Sequence, residues 1–177
     1  MKIMYAEAQP TLGDLDITLP PSEGITGPQW IDDLESLDCK LSDDAKTALR
    51  SPHFRPTVPG TVHKIVALRA TFWKKDSERK TKAVQAEGAK RKWVETHPEA
   101  VCIFRKCFSD KQLEKMGLLW IVGIHKPIEV GGGPRFLSAD RRVGGRWFDA
   151  DYASPDDRWR DAGAFFWSLP QEISSQA

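Results

Sequence analysis

A chain of 177 residues, 40% apolar and 29% charged, can bury a full core in one domain, and that composition excludes a collagen-like or disordered chain. The net charge of +1 hides an asymmetry: residues 1–60 hold five Lys/Arg against ten Asp/Glu, residues 61–111 thirteen against six, and residues 112–177 eight against nine. No stretch reaches the length of a membrane span and the opening MKIMYAEAQ has no signal-peptide core, so a cytoplasmic protein without a membrane partner is expected.

Residues 1–27 have several Pro and Gly and no sustained period, and read as an arm or linker. Gly27-Pro28 offers a helix start, and Trp30, Ile31, Leu34 and Leu37 recur at helical spacing, which predicts a helix over 28–38. Ser42 followed by Asp43 and Asp44 is an N-cap with acids in the first turn, so 43–50 is a second helix, stopped before Pro52. Together they form an acidic helical segment, 28–60, ending in a connector with Pro52, Pro56 and Pro59. The core is expected over 61–170, with 171–177 as a tail.

From Thr61 to Trp73 apolar residues alternate, with Val62, Val66, Leu68, Ala70 and Phe72 on one face and His63, Arg69 and Thr71 on the other, as in a central strand. Residues 77–96 read as a basic helix with an Ala83, Ala86, Ala89 and Trp93 stripe, weakened by Gly88. Val101–Phe108 is an apolar run of strand length. Ser109 and Gln112 form a capping box and Gly117 a stop, predicting a short helix over 110–116. Leu118–His125 reads as a buried strand, Gly131–Pro134 as a turn, Gly144-Gly145 as a hairpin, and Arg146–Tyr152 and Ala164–Leu169 as the last strands. The expected fold is α+β, a mostly antiparallel sheet of about five strands with helices packed on one face, preceded by the acidic helical segment.

Several groupings could carry chemistry. His97-x-Glu99 with Cys102 and Cys107 has the residue types of a zinc deaminase, but the thiols are five apart rather than in C-x-x-C. Cys39, Cys102 and Cys107 instead suit free thiols in a reducing compartment. Asp149, Asp151, Asp156, Asp157 and Asp161 are a carboxylate cluster without the calcium-loop pattern, since position six from Asp149 is Ser154 and position twelve Arg160. No metal or other cofactor is expected. The Gly131–Pro134 turn with Arg135, Arg141 and Arg142 could hold a phosphate or carboxylate.

The densest signal is Lys74, Lys75, Arg79, Lys80, Lys82, Lys90, Arg91 and Lys92, flanked by Trp73 and Trp93. Cations neutralise phosphates and indoles stack on unpaired bases. The signatures of common nucleic-acid modules, such as the RNP strands, the GXXG loop and paired zinc ligands, are absent. The leading expectation is a small accessory or regulatory binding protein, not an enzyme, whose basic middle engages nucleic acid or an acidic protein. Two alternatives stand beside it. One is a nuclease-like enzyme on a phosphate-containing substrate, with His97, Glu99 or His125 for proton transfer; the other is a docking module that uses the acidic helices.

Overall fold

The computed structural model describes residues 14–170; the first thirteen residues of the expected arm, and the expected tail at 171–177, lie outside the described residues. In chain order the elements are β1 (Leu15–Thr18), α1 (Gly27–Glu35), β2 (Lys40–Leu41), α2 (Asp43–Arg50), β3 (Lys64–Arg69), α3 (Thr81–Lys90), α4 (Pro98–Cys107), α5 (Asp110–Lys115), β4 (Trp120–Gly123), β5 (Ile128–Val130), β6 (Gly133–Arg142), β7 (Gly145–Tyr152) and β8 (Gly163–Ser168).

The helix starts follow local chemistry. Thr26 and Gln29 cap α1 reciprocally, Ser42 accepts from the Ala45 N–H at 3.1 Å, and Ser109 and Gln112 complete the capping box of α5. Gly117, at φ 72°, turns the chain out of α5.

All eight strands join one sheet in the order β1-β3-β8-β4-β6-β7-β2, with β5 paired to the first residues of β6. The sheet is mixed: β4 runs parallel to β8 and β2 parallel to β7, and the remaining pairs are antiparallel. The expectation of about five mostly antiparallel strands is corrected on both counts. Strands of two to four residues such as β1, β2 and β5 are too short to show a period. β6, ten residues long, is hidden by Arg135, Asp140, Arg141 and Arg142, polar residues at positions where alternation would show apolar ones.

Two apolar clusters lie on opposite faces of this sheet. Ile65, Ala67, Ile121, Leu137, Phe148 and Phe166 pack with Trp30, Leu34, Leu49, Phe104 and Leu113, so α1, α2, α4 and α5 cover one face. Val66, Leu68, Val122, Phe136, Phe165 and Trp167 pack with Trp73, Val84 and Trp93, which places α3 on the other. The helices are therefore divided between the two faces.

Several elements differ from the sequence reading in type or orientation: the strand expected over 61–73 spans Lys64–Arg69, and Ala70–Phe72 form a 3-10 turn after it. Residues 101–107 of the run 101–108, expected as a strand, belong to α4, where Nδ1 of His97 accepts from the Glu99 N–H at 3.1 Å and Pro98 occupies the first turn. Glu99 to Arg105 are all buried, so the helix shows no polar face to betray its period. In α3 the buried face is Thr81, Val84 and Gly88, while Ala86 and Ala89 are exposed. Gly88 is required there, because a β-carbon would stand 2.2 Å from Nε1 of Trp167.

Candidate functional site

The basic segment is distributed rather than assembled into one patch. Trp73 is 8% and Trp93 7% exposed, both in the core, with Trp73 edge-on to Phe165 and Trp93 against Trp167. Arg79 is buried and structural, donating to the carbonyls of Ala70, Trp73 and Trp159 and pairing with Asp76. Lys80 and Lys82 share Asp156 at 3.5 and 2.7 Å, and Arg91 pairs with Glu87 at 2.7 Å. Lys74, Lys75, Lys90 and Lys92 are exposed. The Arg91 guanidinium lies 5.2 Å from the ring of Phe72 and 5.0 Å from that of Trp93, which brings the Lys74–Lys75 and Lys90–Lys92 ends of the segment to one surface. Phe72, 42% exposed, belongs to it.

The three arginines near the glycine turn do not converge. Arg135 is buried, bonded to Asp44 and to the Gly133 carbonyl, with its guanidinium 3.7 Å from the ring of Tyr152. Arg141 reaches Glu114 at 3.6 Å. Arg142 bridges Asp140 and Asp149 and stacks 4.9 Å from Trp147.

Arg141 and Arg142 instead border an open cleft of about 640 Å³ between the sheet and the loop around residues 157–160. Its walls are Leu119, Trp120, Trp159, Asp140, Asp151, Asp157, Arg158 and Arg160 with the two arginines. Sheet register builds it: Trp120 on β4 stands opposite Asp140 on β6, and Asp140 opposite Trp147 on β7. Sequence reasoning missed Trp120, Trp159, Asp140, Arg158 and Arg160 as a group. The one available signal was Arg158-Trp159-Arg160, an indole between two cations in the stretch between the last two expected strands.

Charge in this cleft is finely divided. Burial, reinforced by the negative charge of Asp140, pushes the Asp151 carboxyl up to about 7. Burial also raises Asp140, against the pull of Arg142. Asp149 is pushed up by burial too, but the Ser42 hydroxyl, 2.6 Å away, and Arg142 outweigh this and hold it below the usual carboxylate range. Among the described residues no three His, Cys, Asp or Glu side chains converge in a way that could hold a metal ion.

His97, Glu99 and His125 lie elsewhere. The buried Glu99 carboxylate accepts from the Ser22 hydroxyl at 2.9 Å, the Trp30 indole at 3.4 Å, the Thr57 N–H at 2.8 Å and the Thr57 hydroxyl. It thereby pins α1 and the proline-rich connector to α4. His63 stacks on His97 at 6.1 Å, and burial lowers both imidazoles despite the nearby Glu99. His125 is fully buried, Nε2 accepting from the Leu137 N–H at 2.9 Å and Nδ1 facing the Lys126 carbonyl at 2.7 Å; burial lowers it to about 4. Burial likewise raises the thiols of Cys39, Cys102 and Cys107.

The chain matches no family model, no curated protein and no solved structure. No helix among the described residues is long and apolar enough to cross a membrane. The acidic segment keeps Asp32, Asp38 and Asp43 exposed, while Glu35 pairs with Lys46, Asp33 with Lys106 and Asp44 with Arg135.

Proposed function

We propose that this is a small accessory or regulatory binding protein whose basic middle segment engages an acidic protein partner. One observation carries the reading: the Arg91–Phe72 contact at 5.2 Å joins exposed lysines to an exposed apolar side chain on one surface. Base stacking needs free aromatic faces, and the indoles of Trp73 and Trp93 are committed to the core. Of the eight cations in the segment, Arg79 is internal, and Lys80, Lys82 and Arg91 are paired. Lys74, Lys75, Lys90 and Lys92, on the surface that carries Phe72, suit an acidic segment with an apolar anchor better than a run of phosphates.

The test is a fluorescence-anisotropy titration with a labelled peptide of Glu and Asp residues carrying two leucines, run beside labelled single-stranded RNA. The peptide should bind at low salt and weaken as salt rises. Reversing Lys90 and Lys92 to Glu should cost roughly tenfold in affinity, about 1.4 kcal/mol, since each rim charge contributes up to about 1 kcal/mol. No peptide binding at low salt, or tighter binding of the RNA, overturns the reading.

A further inference from the structure

The cleft bordered by Trp120 and Trp159 is separate from the basic surface and asks for a ligand of its own. Its volume of about 640 Å³ falls in the range of small-molecule sites. A methyl at Gly163 would lie 2.0–2.3 Å from ring atoms of Trp120, so that ring lies flat on the bare backbone of β8. Trp120 and Trp159 line the cleft together, their rings tilted 40° at 5.8 Å, with Phe165 edge-on beneath both at 5.2 and 5.4 Å. Arg158 and Arg160, both exposed, stand at the rim on either side of Trp159. A flat ring with an anionic tail fits these features: the ring stacks on indole, and guanidinium forks take the anion.

The floor adds a second requirement. Asp140 is 8% exposed and its Oδ1 accepts no hydrogen bond, while its other oxygen is held by Arg142. Asp151 shares the cleft with it. Facing Asp151 are Asp140 and Arg142 from β6 and Asp149 from its own strand; Arg141, Asp157, Arg158 and Arg160 complete the charged lining. Arg142 is already neutralised by Asp140 and Asp149. An anion brought into this cleft meets an uncompensated carboxylate at Asp151 unless that carboxylate takes a proton.

We propose that this cleft binds a nucleotide, with the base against the Trp120–Trp159 indole pair and the phosphate on Arg158 and Arg160, and that binding takes up one proton from solvent at Asp151. The proton converts the carboxylate to a neutral acid, which removes the repulsion and supplies an O–H donor. Burial already holds this carboxyl near neutrality, so uptake falls within an accessible pH range.

Isothermal titration with AMP at pH 6 and pH 8, with adenosine and inorganic phosphate as separate arms, tests this directly. AMP should bind at least tenfold tighter than either part, and about tenfold tighter at pH 6 than at pH 8. Titration in two buffers of different ionisation enthalpy should show about one proton taken up near pH 8. Reversing the exposed Arg158 and Arg160 to Glu should remove AMP binding with the melting temperature unchanged. Asp151→Asn should keep AMP binding and lose its pH dependence. The proposal is overturned if AMP does not saturate the protein at millimolar concentration, if phosphate alone binds as well, or if the pH dependence survives in Asp151→Asn. These results are independent of the acidic-peptide titration, which reports on the other surface.

Discussion

Gly88→Ala sets two well-understood effects against each other. In the interior of an exposed helix the change would stabilise by about 1 kcal/mol, because alanine restricts the unfolded chain. At this position the added methyl would lie 2.2 Å from Nε1, 2.6 Å from Cε2 and 2.9 Å from Cδ1 of Trp167, far inside van der Waals contact. The indole has no room to retreat. It is 2% exposed and packed 5.2 Å from Trp93, and its strand, β8, is bonded to β3 on one side and β4 on the other. Overpacking of this kind costs about 1–3 kcal/mol and at such short range belongs near the upper figure. The net expectation is a loss of about 1–2 kcal/mol, read as a melting temperature lower by about 2–8 °C for a chain of this size. Circular dichroism melts and urea titrations measure it, with the exposed Ala89→Gly as a control that should lose about 1 kcal/mol by propensity alone. A Gly88→Ala protein that melts higher than the parent would refute the packing of α3 on Trp167.

Other perturbations follow from buried polar groups. His125 has a folded pKa of about 4 against 6.5, so the folded chain declines a proton that the unfolded chain accepts; its contribution, about 3 kcal/mol, is full above pH 6.5 and lost as pH falls towards 4. His63 and His97 are shifted the same way and add to that slope. Asp151 works oppositely, because its raised pKa makes burial cost stability as pH rises from 3.8 towards 7. Urea unfolding of Asp151→Asn should therefore show a steeper gain between pH 4 and 6.5 than the parent, and a flat profile would contradict the burial of His125. Glu99→Ala strands the Ser22, Trp30 and Thr57 donors and should cost about 3–5 kcal/mol, with Glu99→Gln milder; a loss under about 1 kcal/mol would show that this carboxylate does not hold the connector. Ser109→Ala removes one half of the α5 capping box and should lower stability by about 0.5–2 kcal/mol without changing peptide or nucleotide binding; an unchanged melt would move the start of that helix.

Where a signal lives within four residues, the sequence carries it. The Ser42 and Ser109 caps and the positive-φ Gly117 each act on neighbouring backbone, and α2 and α5 lie close to where their residues place them. Signals of burial on all sides mislead, because the five-residue apolar stretch 100–104 within α4 fits strand and helix equally. Charged residues mislead in the opposite direction along β6, where Arg135 is buried against Asp44 of α2 and Asp140 pairs with Arg142 two residues on in the same strand. The cleft could not be read in advance because Trp120, Asp140, Asp151 and Trp159 meet only through strand register and the loop after β7. The two tryptophans in the basic segment raised an expectation of stacking, but an indole beside cations is equally what a core residue at the end of a surface helix looks like.

The position of β8 has a consequence for how the chain is made. Among the described residues it is the last strand in chain order, yet it lies between β3 and β4, antiparallel to the first and parallel to the second. Until residue 168 has left the ribosome, β3 and β4 each present an open edge, and the apolar residues that Phe165, Phe166 and Trp167 will cover remain wet. That insertion joins the β1–β3 pair to the strands from β4 to β2. A ribosome-stalled chain cut before Gly163 should therefore stay protease-sensitive and rely on chaperones, with the transition to a protected state arriving abruptly once β8 is free to enter the gap.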